Sequence, residues 1–136
     1  MHAPVIIIHT IDHARTALAA AAEQGCKVVL HSAPGAVAYL GATVFRDLVT
    51  EAAKEHPGVE YLAVLDCGDE PGLAMGAMRH GIEAVRLHAR PEIQDKLADI
   101  ATQRGVIVFD HDGPVLDLLD MADPLAACRA WLRPLD

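Results

Sequence analysis

The segment EYLAVLDCG, Glu60 to Gly68, decides how the rest of the chain is read. Its apolar run is too short for a helix and rich in residues that suit a pleated surface, and it stops abruptly at an acid, a thiol and a glycine. Four other short runs share this design: PVIIIHT from Pro4, CKVVLHS from Cys26, EAVRLHA from Glu83 and GVIVFDHD from Gly105. Five strands are therefore expected. Because they are apolar on both faces, they belong in a sheet covered on both sides.

The segments between them carry helical spacing. Leu18 and Ala21 share a face in the first, Phe45, Leu48, Val49 and Ala52 in the second, and Ile93, Leu97, Ile100 and Ala101 in the fourth. Gly25, Gly81 and Gly105 stand where helices should stop, and Pro91 suits a first turn. Gly35 and Gly41 bracket a loop or single turn before a helix from Ala42 to Glu55, and two short helices divided near Asp123-Pro124 are expected beyond Gly113. Strands alternating with helices describe a parallel sheet with right-handed crossovers, hence an α/β class. The 136 residues suit a single domain over 1–136, whereas eight β-α units need about 250 residues. Five units cannot close the usual barrel, so self-association into a homo-oligomer is expected to cover the exposed edges.

Composition narrows the function classes. Eleven Lys and Arg against nineteen Asp and Glu leave a net charge of -8, which disfavours nucleic acid and anionic membranes as partners. The opening MHAPVIIIHT has no basic segment, and its apolar run is interrupted by His9 and Asp12, so neither a secretion signal nor a membrane span is expected. Three cysteines without paired spacing, Cys26, Cys67 and Cys128, suit a reducing, cytoplasmic setting. Cys26 and Cys128 read as small core hydrophobes.

Ligands of parallel α/β proteins bind at the carboxyl ends of the strands. Those ends carry His9, His31, Asp66 with Cys67, His88, and the run Asp110, His111, Asp112. The other histidines, His2, His13, His56 and His80, are expected to meet solvent. Imidazole, thiolate and carboxylate projected from neighbouring strands are donors that zinc prefers, although no local spacing such as HExxH is present. In SAPGA, Ser32 to Ala36, small residues let backbone amides approach an oxyanion, which marks Ser32 and Gly35 with His9 and His31 as candidate contacts to a small-molecule ligand.

The collinear set HARTALAAAAEQG, KVVLHSAPGAVAYLG, AAKEHP, VLDCG and GIEAVRLHA resembles the amino-terminal half of the class II, zinc-dependent fructose- and tagatose-bisphosphate aldolases. Members of that family run through "PVILQ.SPGA..Y.G", then "HLDHG", then "GF.SVMIDGS". The resemblance covers about residues 5 to 113 and implies a partial (β/α) barrel. It implies a catalytic acid/base at Asp66, which falls on the Asp of HLDHG, and a metal site that polarises a carbonyl. Cys67 falls on the metal-binding His of that motif, His88 on the Asp of IDGS, and His111 on a metal-binding Glu, with Asp110 or Asp112 selected by a one-residue offset. Val64 replaces the first His of HLDHG, and Ala33 replaces a substrate-contacting Ser. The family's later zinc His and phosphate-binding segments find no counterpart. Two functions are implied: a metal-dependent lyase of small carbonyl or sugar-type substrates using Asp66 with zinc on Cys67, His88 and His111, or a non-catalytic ligand-binding or oligomerisation module.

Overall fold

The computed structural model describes residues 3–133, so His2 lies outside it. All five expected strands form: β1 (Val5–Ile7), β2 (Val28–His31), β3 (Tyr61–Asp66), β4 (Ala84–Arg86) and β5 (Ile107–Val108). Helices α1 (Ile11–Gln24), α2 (Ala42–Ala53), α3 (Pro71–Met78) and α4 (Pro91–Arg104) separate them, with a 3-10 turn at Ala36–Ala38 before α2. The architecture is a parallel α/β sheet resembling part of a (β/α) barrel.

The tail differs from expectation. The segment after Gly113 is not two helices but a sixth strand, β6 (Val115–Asp117), followed by α5 (Pro124–Trp131). The apolar spacing of Val115, Leu118 and Leu119 fits one helical turn, but Val5, Ile6 and Ile7 offer an unpaired strand edge, and β6 takes it in parallel register, Val5 opposite Val115 and Ile7 opposite Asp117. Asp123 caps α5 by accepting from the Ala126 amide at 3.0 Å, where the helix boundary was expected.

All pairings are parallel, and the order is β5-β4-β3-β2-β1-β6. β5 and β6 thus occupy opposite edges although only six residues separate them. In a flat sheet those edges lie about 24 Å apart, five spacings of about 4.8 Å. Seven peptide steps reach only about 25 Å at full stretch, and the chain must also return from the carboxyl to the amino end. The linker can make that connection comfortably only across a curled sheet.

Strand alternation divides the core. Ile6, Ile8, Val28, Leu30, Leu65, Val85 and Leu87 pack under the helices against Ala17, Leu18, Phe45, Val49 and Leu97, as the spacing predicted. The many alanines of α1 let that helix approach the sheet closely. Val5, Val29, Leu62, Val64 and Ala84 form a smaller cluster on the opposite, concave face, and it is closed by Phe109 from the β5–β6 linker.

Candidate ligand site at the carboxyl rim

Successive strand residues face opposite ways. Continuing the concave series upward from Val29, Val64 and Ala84 brings His31, Asp66, Arg86 and His88 to one rim. His9 and Asp117 continue the same series from Val5 and Val115.

Asp66 is the centre of this rim and is almost wholly buried. Its Oδ1 accepts from the amides of Gly35 (2.8 Å) and Gly68 (2.9 Å). The SAPGA amide expected to meet an oxyanion therefore meets the chain's own carboxylate. Gly35 reaches it with φ of 68°, a left-handed conformation costly for other residues. The Ser32 hydroxyl accepts from the Asp66 amide at 2.8 Å and donates to the Ala33 carbonyl at 3.1 Å. Ser32 is thus a tie between β2 and β3, buried and fully engaged.

The remaining oxygen, Oδ2, faces His88 Nε2 at 3.6 Å and His31 Nε2 at 3.9 Å. His31 Nδ1 lies 2.6 Å from the Ser32 carbonyl, which only accepts, so Nδ1 carries the proton. Burial drives the His31 pKa down, against the pull of that hydrogen bond and of Asp66. The ring is neutral, its Nε2 lone pair faces Arg86 Nη1 at 3.4 Å, and its approach to Asp66 is not an ion pair. Arg86 Nη2 donates to the His111 carbonyl at 2.7 Å, tying the rim to the β5–β6 linker. Phe109 packs edge-on to His31 and stacks on His111.

The ligand set Cys67, His88 and His111 is not assembled. Cys67 follows Asp66 and so points to the other face, where it is buried under the helices and its thiol is pushed up to about 12 by burial and by Asp66. Its Sγ donates to the Leu65 carbonyl at 3.6 Å. His88 is solvent-facing at 59% exposure, and His111 lies on Phe109 with Nε2 3.2 Å from the Pro114 carbonyl. Asp110 and Asp112 are exposed. Among the described residues no three His, Cys, Asp or Glu side chains converge to hold a metal ion. Asp66 lies near His31 and His88, but a guanidinium stands against the His31 lone pair that a metal would need. The residues present do not fit a zinc centre of the family's kind.

A second constellation lies beside the first. His9 Nε2 is 2.6 Å from Asp117 Oδ1, and the His9 amide donates to His13 Nδ1 at 3.0 Å. His13, expected in solvent, is half-buried with its ring edge-on to His9. Burial lowers its pKa, with His9 adding to the effect. Asp117 sits below the usual carboxylate range: burial opposes this, but the Leu119 amide and His9 outweigh it. Arg86, Asp117 and Phe109 were not singled out from the sequence. Alternation along EAVRLHA, from Ala84 to His88, marks Arg86, whereas Asp117 lies in a segment whose strand the sequence does not announce.

No family model matches the chain. It is 25% identical over 84 residues to a fructose-bisphosphate aldolase of Xanthobacter flavus, a match covering 62% of this chain and 24% of that protein. Its fold is that of aldolase structures: the YdjI aldolase of Escherichia coli K12 (TM-score 0.65, 16% identity, 78% of this chain and 44% of that one) and a candidate fructose-1,6-bisphosphate aldolase of Coccidioides immitis (TM-score 0.65, 16% identity, 93% and 52%). The chain thus spans about a quarter of the sequence relative and about half of each structural one.

Proposed function

We propose that this aldolase-like domain binds a small hydroxyl- or carbonyl-bearing molecule at the carboxyl rim of its sheet, without the metal centre that the resemblance implies. The observation that carries this reading is the placement of Cys67 on the far side of β3 from Asp66, in the core, as a thiol pushed up to about 12. Bringing it beside His88 would require turning the strand end over and exposing core.

Asp66, His88 and Arg86 supply the recognition. Asp66 Oδ1 is spent on two amides, so only Oδ2 can accept a hydrogen bond from a ligand. His88 stands between that oxygen and solvent. Arg86 uses one donor on a carbonyl and faces His31 with another, which leaves further N–H groups for a ligand oxygen. Fold alone does not carry turnover, and a binding role asks nothing more of these residues.

Metal stoichiometry tests the reading. The protein, purified without a His tag, saturated with zinc and dialysed, is expected to retain far less than one equivalent, and Cys67→Ser to retain no less. One tightly held zinc per chain in the parent, lost in Cys67→Ser while folding is kept, would reject it in favour of a metal-dependent lyase.

A further inference from the structure

Behind His9, the rim is bordered by a cavity of about 220 Å³ lined by Ile8, His9, Thr10, Ala33, Leu40 and Leu48, among others. Phe45 is part of its wall, and Tyr39, 72% exposed, stands beside it. Its walls are therefore apolar apart from the His9, Thr10 and Tyr39 polar groups.

The tautomer of His9 follows from its partner. Asp117 is held below the usual carboxylate range and is a pure acceptor, so the His9 nitrogen 2.6 Å away, Nε2, is the donor. In the neutral ring Nδ1 then carries the lone pair, and no hydrogen bond to it forms among the described residues. A carboxylate fixing one imidazole nitrogen while the other is left to accept is the arrangement that prepares a histidine to take a proton or hydrogen bond from a ligand. The His9 backbone is fixed too, since its amide donates to His13 Nδ1, and Thr10 Oγ1 caps α1 by accepting from the His13 amide at 3.1 Å.

We infer that this cavity is a binding site for a single-ring alcohol or phenol, with the ligand hydroxyl donating to His9 Nδ1 and the ring lying against Ile8, Leu40, Phe45 and Leu48. Size supports the class, because an engineered apolar cavity of about 150 Å³ takes benzene. The additional room accommodates a hydroxyl. The inference is independent of the metal-free reading: zinc at the rim would leave it intact, and its own failure would leave that reading intact.

Titration of the full, isotope-labelled chain with phenol, followed by NMR, is the test. Saturable shifts at Ile8, Leu40 and Leu48 are expected, with a change at the His9 Nδ1 resonance. Toluene, lacking the donor, should bind about three- to tenfold more weakly, the worth of one neutral hydrogen bond. His9→Phe should abolish that preference, and Ala33→Leu, which fills the space, should abolish binding of either probe. Phenol shifts that do not saturate, equal affinity for phenol and toluene in the parent protein, or a preference that survives His9→Phe would each overturn the assignment. The comparison of the two probes in the parent needs no variant to fold.

Discussion

His31 shows how burial sets the chemistry of this rim. Its pKa is lowered from 6.5, first by burial and further by Arg86, while the Ser32 carbonyl and Asp66 pull the other way. A histidine depressed in the folded state binds fewer protons there than in the unfolded chain. Its contribution to stability is therefore complete above about pH 6.5 and is lost as pH falls through the folded value. Unfolding by urea between pH 7.5 and 5 should show this as a falling unfolding free energy, by up to about 1.4 kcal/mol per pH unit for each such histidine. His13 acts in the same direction, so His31→Gln should flatten the acid limb without abolishing it. An unchanged slope in His31→Gln would mean that the ring is not held neutral. Much at this scale was legible: Asp66, His31, His9 and His88 all come to the rim at which their strands end. The motif alignment groups Cys67 with His88 and His111, whereas the structure carries its side chain into the core beneath the helices, on the face opposite Asp66. Arg86 was passed over because a single cation within EAVRLHA gives no motif, only a parity.

At the scale of elements, two of the three glycines expected to stop helices do so, whereas α3 ends at Met78 with Arg79 as its C-cap and Gly81 lies beyond it. Gly25 and Gly105 close α1 and α4 in the left-handed region, at φ of 65° and 68°, each amide reaching back to carbonyls of the last turn. No atom crowds a Cβ built on Gly105, so the whole cost of a side chain there is conformational. Gly105→Ala should destabilise by about 1 kcal/mol. Gly58, whose φ is not positive and whose Cβ position is also open, provides the contrast. Gly58→Ala should be neutral or stabilising by up to about 1 kcal/mol, through the reduced freedom of the unfolded chain. Denaturation midpoints of the two variants check the pair, and equal losses in both would contradict the assignment of their backbones. β6 is where local pattern was insufficient. Three residues, two of them apolar, cannot announce themselves as a strand, and the bare edge of β1 decides their pairing.

At the scale of the whole molecule, the sheet holds its shape by filling its own concave face. The expectation of self-association rested on five β-α units being too few to close a barrel, which leaves strand edges exposed. The edges exist, with Ile107 and Val115 exposed on β5 and β6, but the interior is partly occupied by Phe109. That side chain comes from the linker that must cross from one edge to the other; it shares one cluster with residues of β1 to β4 and packs on His31 and His111. A single aromatic ring therefore couples the closure of the sheet to the positions of His31 and, through the Arg86 bond to His111, to the rim. Removing it should be felt in both. Phe109→Ala is expected to lose about 3–5 kcal/mol, a large part of the roughly 5–15 kcal/mol that a domain has in hand. Phe109→Leu, which keeps most of the volume, should lose roughly 1.5 kcal/mol or less. Amide exchange should then distinguish a global effect from a local one: in Phe109→Leu, protection at Leu118, whose amide donates to the Ile7 carbonyl, should fall with global stability if the linker clamps the sheet closed. If Phe109→Ala costs less than about 1 kcal/mol, the concave face is held by something other than this ring.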